Sequence, residues 1–257
     1  MFFDSHAHFD DEKFNEDRYD LIEKCYKQGI TNIITAGYSV KSSEEALNIA
    51  KKYDFIFSTA GISPNDIDEN KDKIDTDIKQ IENIAKDKKV VAIGEIGLDY
   101  YWNKENSKMQ KYAFIKQIEL ANKLNKPIVI HTREAVMDTL EILKTYKVNK
   151  NGVFHCCPLN RELIKEAVKL GFYISFAGPI TFKNSKNADE IINLVPMDKI
   201  LIETDSPYLA PEPVRGTRNN SANVKHIAEK IAASKGITVE EIAKITSENA
   251  KKIFEIK

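Results

Sequence analysis

Short, continuously apolar runs alternate along the chain with longer stretches whose apolar positions recur every three or four residues. The runs read as strands: "MFFDSH", "TNIITAG", "FIFSTAG", "VVAIGEIG", "PIVIHT", "GVFHC", "FYISFAG" and "KILIETD". The stretches between them, such as "DRYDLIEKCYKQG", "SKMQKYAFIKQIELANKLN" and "RELIKEAVKLG", read as helices. Gly29 and Gly171 end two of these helices as the C-terminal glycine should. The strands lack clean alternation, which suits a parallel sheet buried on both faces. Eight strands and seven intervening helices are followed by a Pro-rich loop, "SPYLAPEPVRGTRNNSAN", and a helical C-terminus. That order predicts an α/β fold, a (β/α)8 TIM barrel occupying residues 1–257 as one domain. A doubly wound open sheet is the second choice.

Composition narrows the function. The net charge is −1, so no bulk positive field draws in nucleic acid or an anionic membrane, and any polyanion site must be local. Cys25, Cys156 and Cys157 make no disulfide framework. With no basic leader before a long apolar stretch, and no apolar run near the ~20 residues of a membrane span, a cytoplasmic location is expected.

In a parallel barrel, chemistry gathers where strands end. The first predicted strand ends in His6 and His8, the fourth in Glu95, the fifth in His131, the sixth in His155, and the eighth in Glu203 and Asp205. Four of the five histidines therefore fall at one end of the barrel; only His226 lies on a predicted helix. Residues two apart on a strand point the same way, so His6 can face the axis with His8, and Glu203 with Asp205. Imidazoles and carboxylates together suit zinc, manganese, iron or cobalt, and the carboxylates also admit magnesium. Six ligands exceed one tetrahedral site with a free position, but suffice for two metal ions sharing a bridging carboxylate.

The motifs "DSHAHFD", "GEIGLDYYW", "PIVIHTREA", "HC" at His155, "ETDSPYLAP", "RGTRNN" and "ENAKKIF" give the chain a family likeness. It resembles, over essentially its whole length, the TatD family of metal-dependent deoxyribonucleases, which belong with the amidohydrolase-like barrels. The resemblance implies that His6, His8 and Asp205 hold one divalent ion, that His131 and His155 hold another, and that Glu95 bridges them. Two departures stand out. Where the family has G-x-H-P-H after the third strand this chain has "GISPN", so Ser63 and Asn65 replace two histidines; after the sixth strand it has "HCCPL" in place of H-C-F-S-G.

The expected chemistry is hydrolysis of a phosphodiester, with Asp205 or Glu203 accepting a proton from water; Glu203 could instead hold a ligand histidine in its tautomer. Arg133, Arg218 and, less directly, Arg215 lie on loops suited to phosphate. Tyr100, Tyr101 and Trp102, the single tryptophan, would either stack nucleobases or plug the barrel mouth. At most one of Cys156 and Cys157 can point inward, and neither is expected to bind metal. The leading expectation is a two-metal deoxyribonuclease acting exonucleolytically on single-stranded DNA ends, with no obligate protein partner. The alternative is a hydrolase of a small phosphoester, amide or nucleotide-derived compound.

Overall fold

The computed structural model describes all 257 residues. The eight strands are β1 (Phe2–Ala7), β2 (Ile30–Thr35), β3 (Ile56–Ala60), β4 (Val90–Asp99), β5 (Ile128–Arg133), β6 (Gly152–Phe154), β7 (Tyr173–Phe176) and β8 (Ile200–Ile202). All pair in parallel, in chain order from β1 to β8. Seven helices connect them: α1 (Arg18–Lys27), α2 (Val40–Ala50), α3 (Lys71–Ile84), α4 (Ser107–Leu124), α5 (Val136–Thr145), α6 (Arg161–Lys169) and α7 (Ala188–Leu194). The helical C-terminus is two helices, α8 (Val224–Lys235) and α9 (Val239–Phe254), parted at Gly236, which takes a left-handed φ of 70°. Gly29 and Gly171 do the same after α1 and α6, each with φ 91°. Helix α3 starts at Lys71, where the Asn70 side chain accepts from the amides of Asp72 and Lys73.

Neighbour order makes this a barrel and excludes the doubly wound sheet. Its last seam, between β8 and β1, has no regular ladder. One bridge joins Ala7 to Ser206. The amide of Asp205 donates to the His6 carbonyl (2.9 Å), and that of His8 to the Ser206 carbonyl (2.7 Å). Side chains add the rest. Buried Asp4 accepts from the Thr204 amide (2.9 Å) and hydroxyl (2.6 Å), and the Ser5 hydroxyl donates to the Ile202 carbonyl (3.0 Å). Phe3, Ile34, Ala92, Val129, Val153, Tyr173 and Leu201 fill the lower barrel and join Ile253 and Phe254 of α9 in one apolar cluster. A larger cluster lies between the strands and the helices. Burying both strand faces gathers the charged side chains mostly at the C-terminal rim of the sheet; buried Asp4 is an exception, paired with Thr204 at the seam.

Candidate metal centre

On three strands, plain alternation carries side chains to the rim. Val129 on β5, Val153 on β6 and Leu201 on β8 point into the lower core. Two residues on are His131, His155 and Glu203. Asp205 lies beyond the end of β8 and takes a left-handed φ of 54°, so the loop backbone and not the pleat aims it. Strands β1 and β4 differ. Phe3 packs in the lower core and the Ser5 hydroxyl meets that of Ser175 (3.0 Å), so both face inward. The register then shifts between Asp4 and Ala7, and His6 also faces inward. On β4 the inward positions are Ala92 and Gly94, whose missing Cβ would collide with Val129; a shift between Ile93 and Ile96 brings Glu95 inward next.

The six side chains meet in two groups. His6 Nε2 and His8 Nε2 are 3.2 Å apart, and 3.7 and 3.3 Å from Asp205 Oδ1. His131 Nδ1 and His155 Nε2 are 3.2 Å apart. Glu95 spans both groups: its Oε2 lies 3.5 Å from His6 and 3.8 Å from His8, and its Oε1 lies 3.0 Å from His131 and 3.4 Å from His155. Within each group the ligand atoms fall inside 4.8 Å of one another.

Outer partners fix which nitrogen faces inward. The Nδ1 of His8 is 3.1 Å from the Ala36 carbonyl, leaving Nε2 for the cluster. His131 turns its Nε2 to Asp99 (3.0 Å) and its Nδ1 inward. His155 Nδ1 lies 3.4 Å from Glu203 Oε1, a charge contact without hydrogen-bond alignment. The same Glu203 oxygen accepts from the Cys156 amide at 2.6 Å. His6 Nδ1 is buried with no partner.

The electrostatics fit divalent cations. Glu95, Asp205 and fully buried Glu203 bring carboxylates together with no lysine or arginine paired to them. The imidazoles respond as the only available cations. Burial alone would lower His8, but Asp205, Glu95 and Asp10 push it up to about 9. Burial likewise opposes the charged form of His155, yet Glu95 and Glu203 carry it well above the usual range. Asp205, which burial would raise, is held down at about 2 by His8, His155 and His6. Glu95, also opposed by burial, is held well below the carboxylate range by His155, His131 and His6. Burial and the neighbouring His155 keep His6 below its ordinary value, as a neutral imidazole. Nitrogen and oxygen ligands converging in two triplets, with excess negative charge, are a donor set for divalent ions.

The cleft beside the cluster has two unlike flanks. On one, a cavity of about 460 Å³ is walled by Asp10, Asp11, Glu12 and Glu45, with Tyr38, Tyr208 and one lysine, Lys41, 3.9 Å from Glu45. Tyr38 and Tyr208 also border the opening over His8 and Glu95, beside Ser63, Asn65 and Asp66. On the other flank, a cavity of about 730 Å³ is lined by Trp102, Arg133, His131, His155 and Asp205. The Arg133 guanidinium lies 3.7 Å from the Tyr101 ring centre and 5.5 Å from that of Trp102. Trp102 is 68% exposed, so it is a rim and not a plug. Tyr100 instead packs inward and donates its hydroxyl to Asp138.

Arg218 is placed elsewhere. It makes a two-point pair with Asp17, donates to the Lys13 carbonyl and is absent from the cleft walls. Arg215 sits over Phe182 near Glu212. Cys156 borders the cleft and Cys157 is buried in the core. His226 faces Glu229 on α8. Ser63 and Asn65 turn to their own surroundings: the Ser63 hydroxyl donates to Asp66 (3.1 Å), and the Asn65 amide group to Asp99 (3.4 Å). Asp99 and Asp4 have structural partners that sequence reasoning missed. The spacing from Glu95 to Asp99 on one strand is the signal available for Asp99; Asp4 has none, since its partner Thr204 lies 200 residues away.

An eight-stranded parallel barrel carrying this cluster at the C-terminal ends of its strands defines a metal-dependent hydrolase. The family description "TatD related DNase" matches residues 3–255, and the chain belongs to the TatD family. It is 42% identical to the uncharacterized metal-dependent hydrolase YabD of Bacillus subtilis, covering all of both chains. It is 31% identical to the 3'-5' ssDNA/RNA exonuclease TatD of Shigella flexneri, covering 99% of each. Among solved structures, the TatD homologue YjjV of Escherichia coli superposes with a TM-score of 0.92 at 23% identity, over 100% of this chain and 98% of that one. That structural likeness supports the fold.

Proposed function

We propose that this hydrolase cleaves phosphodiester bonds from single-stranded ends of DNA, using two divalent ions held by His6, His8 and Asp205 and by His131 and His155, with Glu95 between them. Magnesium, manganese, zinc or cobalt would suit these donors. Such ions, when bound, supply the Lewis acidity that polarises a phosphoryl oxygen and offsets its charge. The chain's own groups do the rest. Asp205, ionised at neutral pH, accepts a proton from the attacking water. Glu203, fully buried and engaged by Cys156, orients His155 and does not itself meet substrate. Arg133 receives a phosphate, and Trp102 with Tyr101 offers a ring face to a base, a contact worth ~1–3 kcal/mol. Arg218 is withdrawn from that role by Asp17.

The observation that carries this reading is the cleft's opposed flanks. A polyanion is welcome along Arg133 and opposed on the other flank, where Asp10, Asp11, Glu12, Glu45 and Asp66 outnumber the one lysine, Lys41, so its chain enters along Arg133 and stops at the acidic side. A strand that must stop inside the cleft presents an end. The relative named as an exonuclease supports the same substrate class. The three unpaired cysteines, and the lack of any helix long and apolar enough to cross a membrane, are compatible with the cytoplasm.

The test compares linear and circular single-stranded DNA of one sequence, with Mg²⁺ or Mn²⁺ supplied. Linear DNA should shorten stepwise, circular DNA should survive, and chelation should stop the reaction. Efficient hydrolysis of small esters or amides with no attack on linear DNA would hand the assignment to the small-substrate alternative. The uncharged Ser63 and Asn65, both occupied by internal partners, are the feature that favours that alternative.

A further inference from the structure

Asp99 stands at a junction that the hydrolytic scheme does not use. It is fully buried at the end of β4, yet both its oxygens are engaged at the site. Oδ2 accepts from His131 Nε2 (3.0 Å) and from the Asn65 side chain (3.4 Å). Oδ1 accepts from the backbone amides of Tyr101 (2.9 Å) and Trp102 (3.2 Å). Its own backbone is clamped by buried Gln110 of α4, which accepts from the Asp99 amide (2.9 Å) and donates to the carbonyls of Asp99 (3.0 Å) and Asn103 (2.8 Å). One carboxylate thus grips a ligand histidine with one oxygen and the aromatic rim with the other.

Two consequences follow from hydrogen-bond chemistry. An ionised carboxylate only accepts, so His131 must carry its proton on Nε2, which leaves the Nδ1 lone pair for an ion beside Glu95. The rim loop is held at its ends by Tyr100 and Asn103 and flanked by Arg133, but the backbone amides of Tyr101 and Trp102 themselves bond to Asp99. Any displacement of His131 on ion binding would act on Oδ2 of the same carboxylate whose Oδ1 holds the two rim amides.

We propose that Asp99 is a positioning residue coupling ion binding at the Glu95–His131–His155 group to the geometry of the Tyr101–Trp102 rim, with Asn65, in place of a family histidine, as an additional brace on the same carboxylate. This inference rests on the assignment of an ion to His131. It gives Asn65 a structural task at a position where the family has a histidine, and it makes the base-stacking rim sensitive to whether the second ion is in place.

Trp102 is the chain's single tryptophan, so its fluorescence reports this loop alone. Zinc, which does not quench by paramagnetism, is added to metal-free full-length protein while emission and binding heat are followed together. In the wild type, emission should change with the binding event at the His131 group. In Asp99→Asn, that event should weaken by at least ~10-fold, the usual cost of losing an outer partner of a ligand histidine. The emission change should disappear, while zinc at the His6–His8–Asp205 group is retained. Asn65→Ala should weaken the emission response by less. An Asp99→Asn protein with wild-type zinc affinity and a wild-type emission response overturns the proposal. Should that variant fail to fold, nitrogen-15 spectra of zinc-loaded wild type decide: zinc on His131 Nδ1 with a proton on Nε2 supports the coupling, and the reverse tautomer overturns it. Absence of zinc from His131 in the wild type overturns the ion assignment as well, which separates the two failures.

Discussion

The ligand cluster has two halves that reach the same rim by different routes. On β5, β6 and β8, inward residues alternate from core to rim: Val129 and His131, Val153 and His155, Leu201 and Glu203, with Asp205 beyond β8 on a left-handed backbone (φ 54°). On β1 and β4 the alternation breaks just below the rim, and His6 and Glu95 face inward next to residues that already do. The regular half places its ligands by repeat alone, so its backbone can vary as long as parity is kept. The shifted half needs one particular local backbone at each strand. It also supplies Glu95, the carboxylate that faces both ligand groups, and closes the β8–β1 seam. The parts least dictated by periodicity therefore carry the connections between elements, and they should tolerate substitution least.

The largest expected effect is at Glu95. Glu95→Ala should lower turnover by at least ~10²-fold, the scale of removing a preorganised charge stabiliser. Metal analysis should show loss of ion from both groups, since each faces one of its oxygens. Removing His155 from the regular half should deplete one group only. Equal metal loss from the two variants would erase the distinction between the halves.

A smaller effect is expected at Gly97, which follows the β4 shift. Its φ of 139° suits glycine, and a Cβ there would overlap the His131 carbonyl oxygen. Gly97→Ala should cost ~2–3 kcal/mol of stability, at the upper end of single-substitution effects, and should displace His131 along with the strand. Val129→Ile, an enlargement on the regular half, tests the same region by packing alone. Thermal unfolding of the two variants checks the order; a Gly97→Ala protein as stable as wild type would remove the claim that β4 needs its special backbone.

The smallest effect is in protons. In the metal-free cluster Asp205, Glu95 and Asp10 push His8 up to about 9, so at neutral pH it carries a proton that an incoming ion must displace, and the raised His131 and His155 add to that release. Ion affinity should therefore rise with pH through neutrality. Calorimetry in buffers of different ionisation enthalpy should show net proton release near neutral pH. Asp205, held at about 2, contributes none of it. No buffer dependence near neutral pH would mean that His8 binds the ion from a neutral state.

Much of this molecule was legible in one dimension. Eight apolar runs and the helical periods between them specify a parallel barrel, because burial on both faces imposes unbroken apolar strands. The candidate ligands followed from where polar residues interrupt those strands near their ends, since a buried sheet most readily admits imidazoles and carboxylates at its rim. Alternation accounts for His131, His155 and Glu203, but it cannot show that Asp205 turns in on a left-handed backbone or that β1 and β4 change register, because a bulge depends on contacts with neighbouring strands, such as Gly94 against Val129. Nor could Arg133 and Arg218 be told apart: both are arginines on loops after strands. One stacks on Tyr101 at the cleft, while the other is claimed by Asp17, 201 residues away. The partners Asp4–Thr204 and Asp99–His131 were hidden for the same reason. Periodicity records which face of an element is buried, whereas side-chain pairing between distant segments is decided when the closed barrel brings them within hydrogen-bond reach.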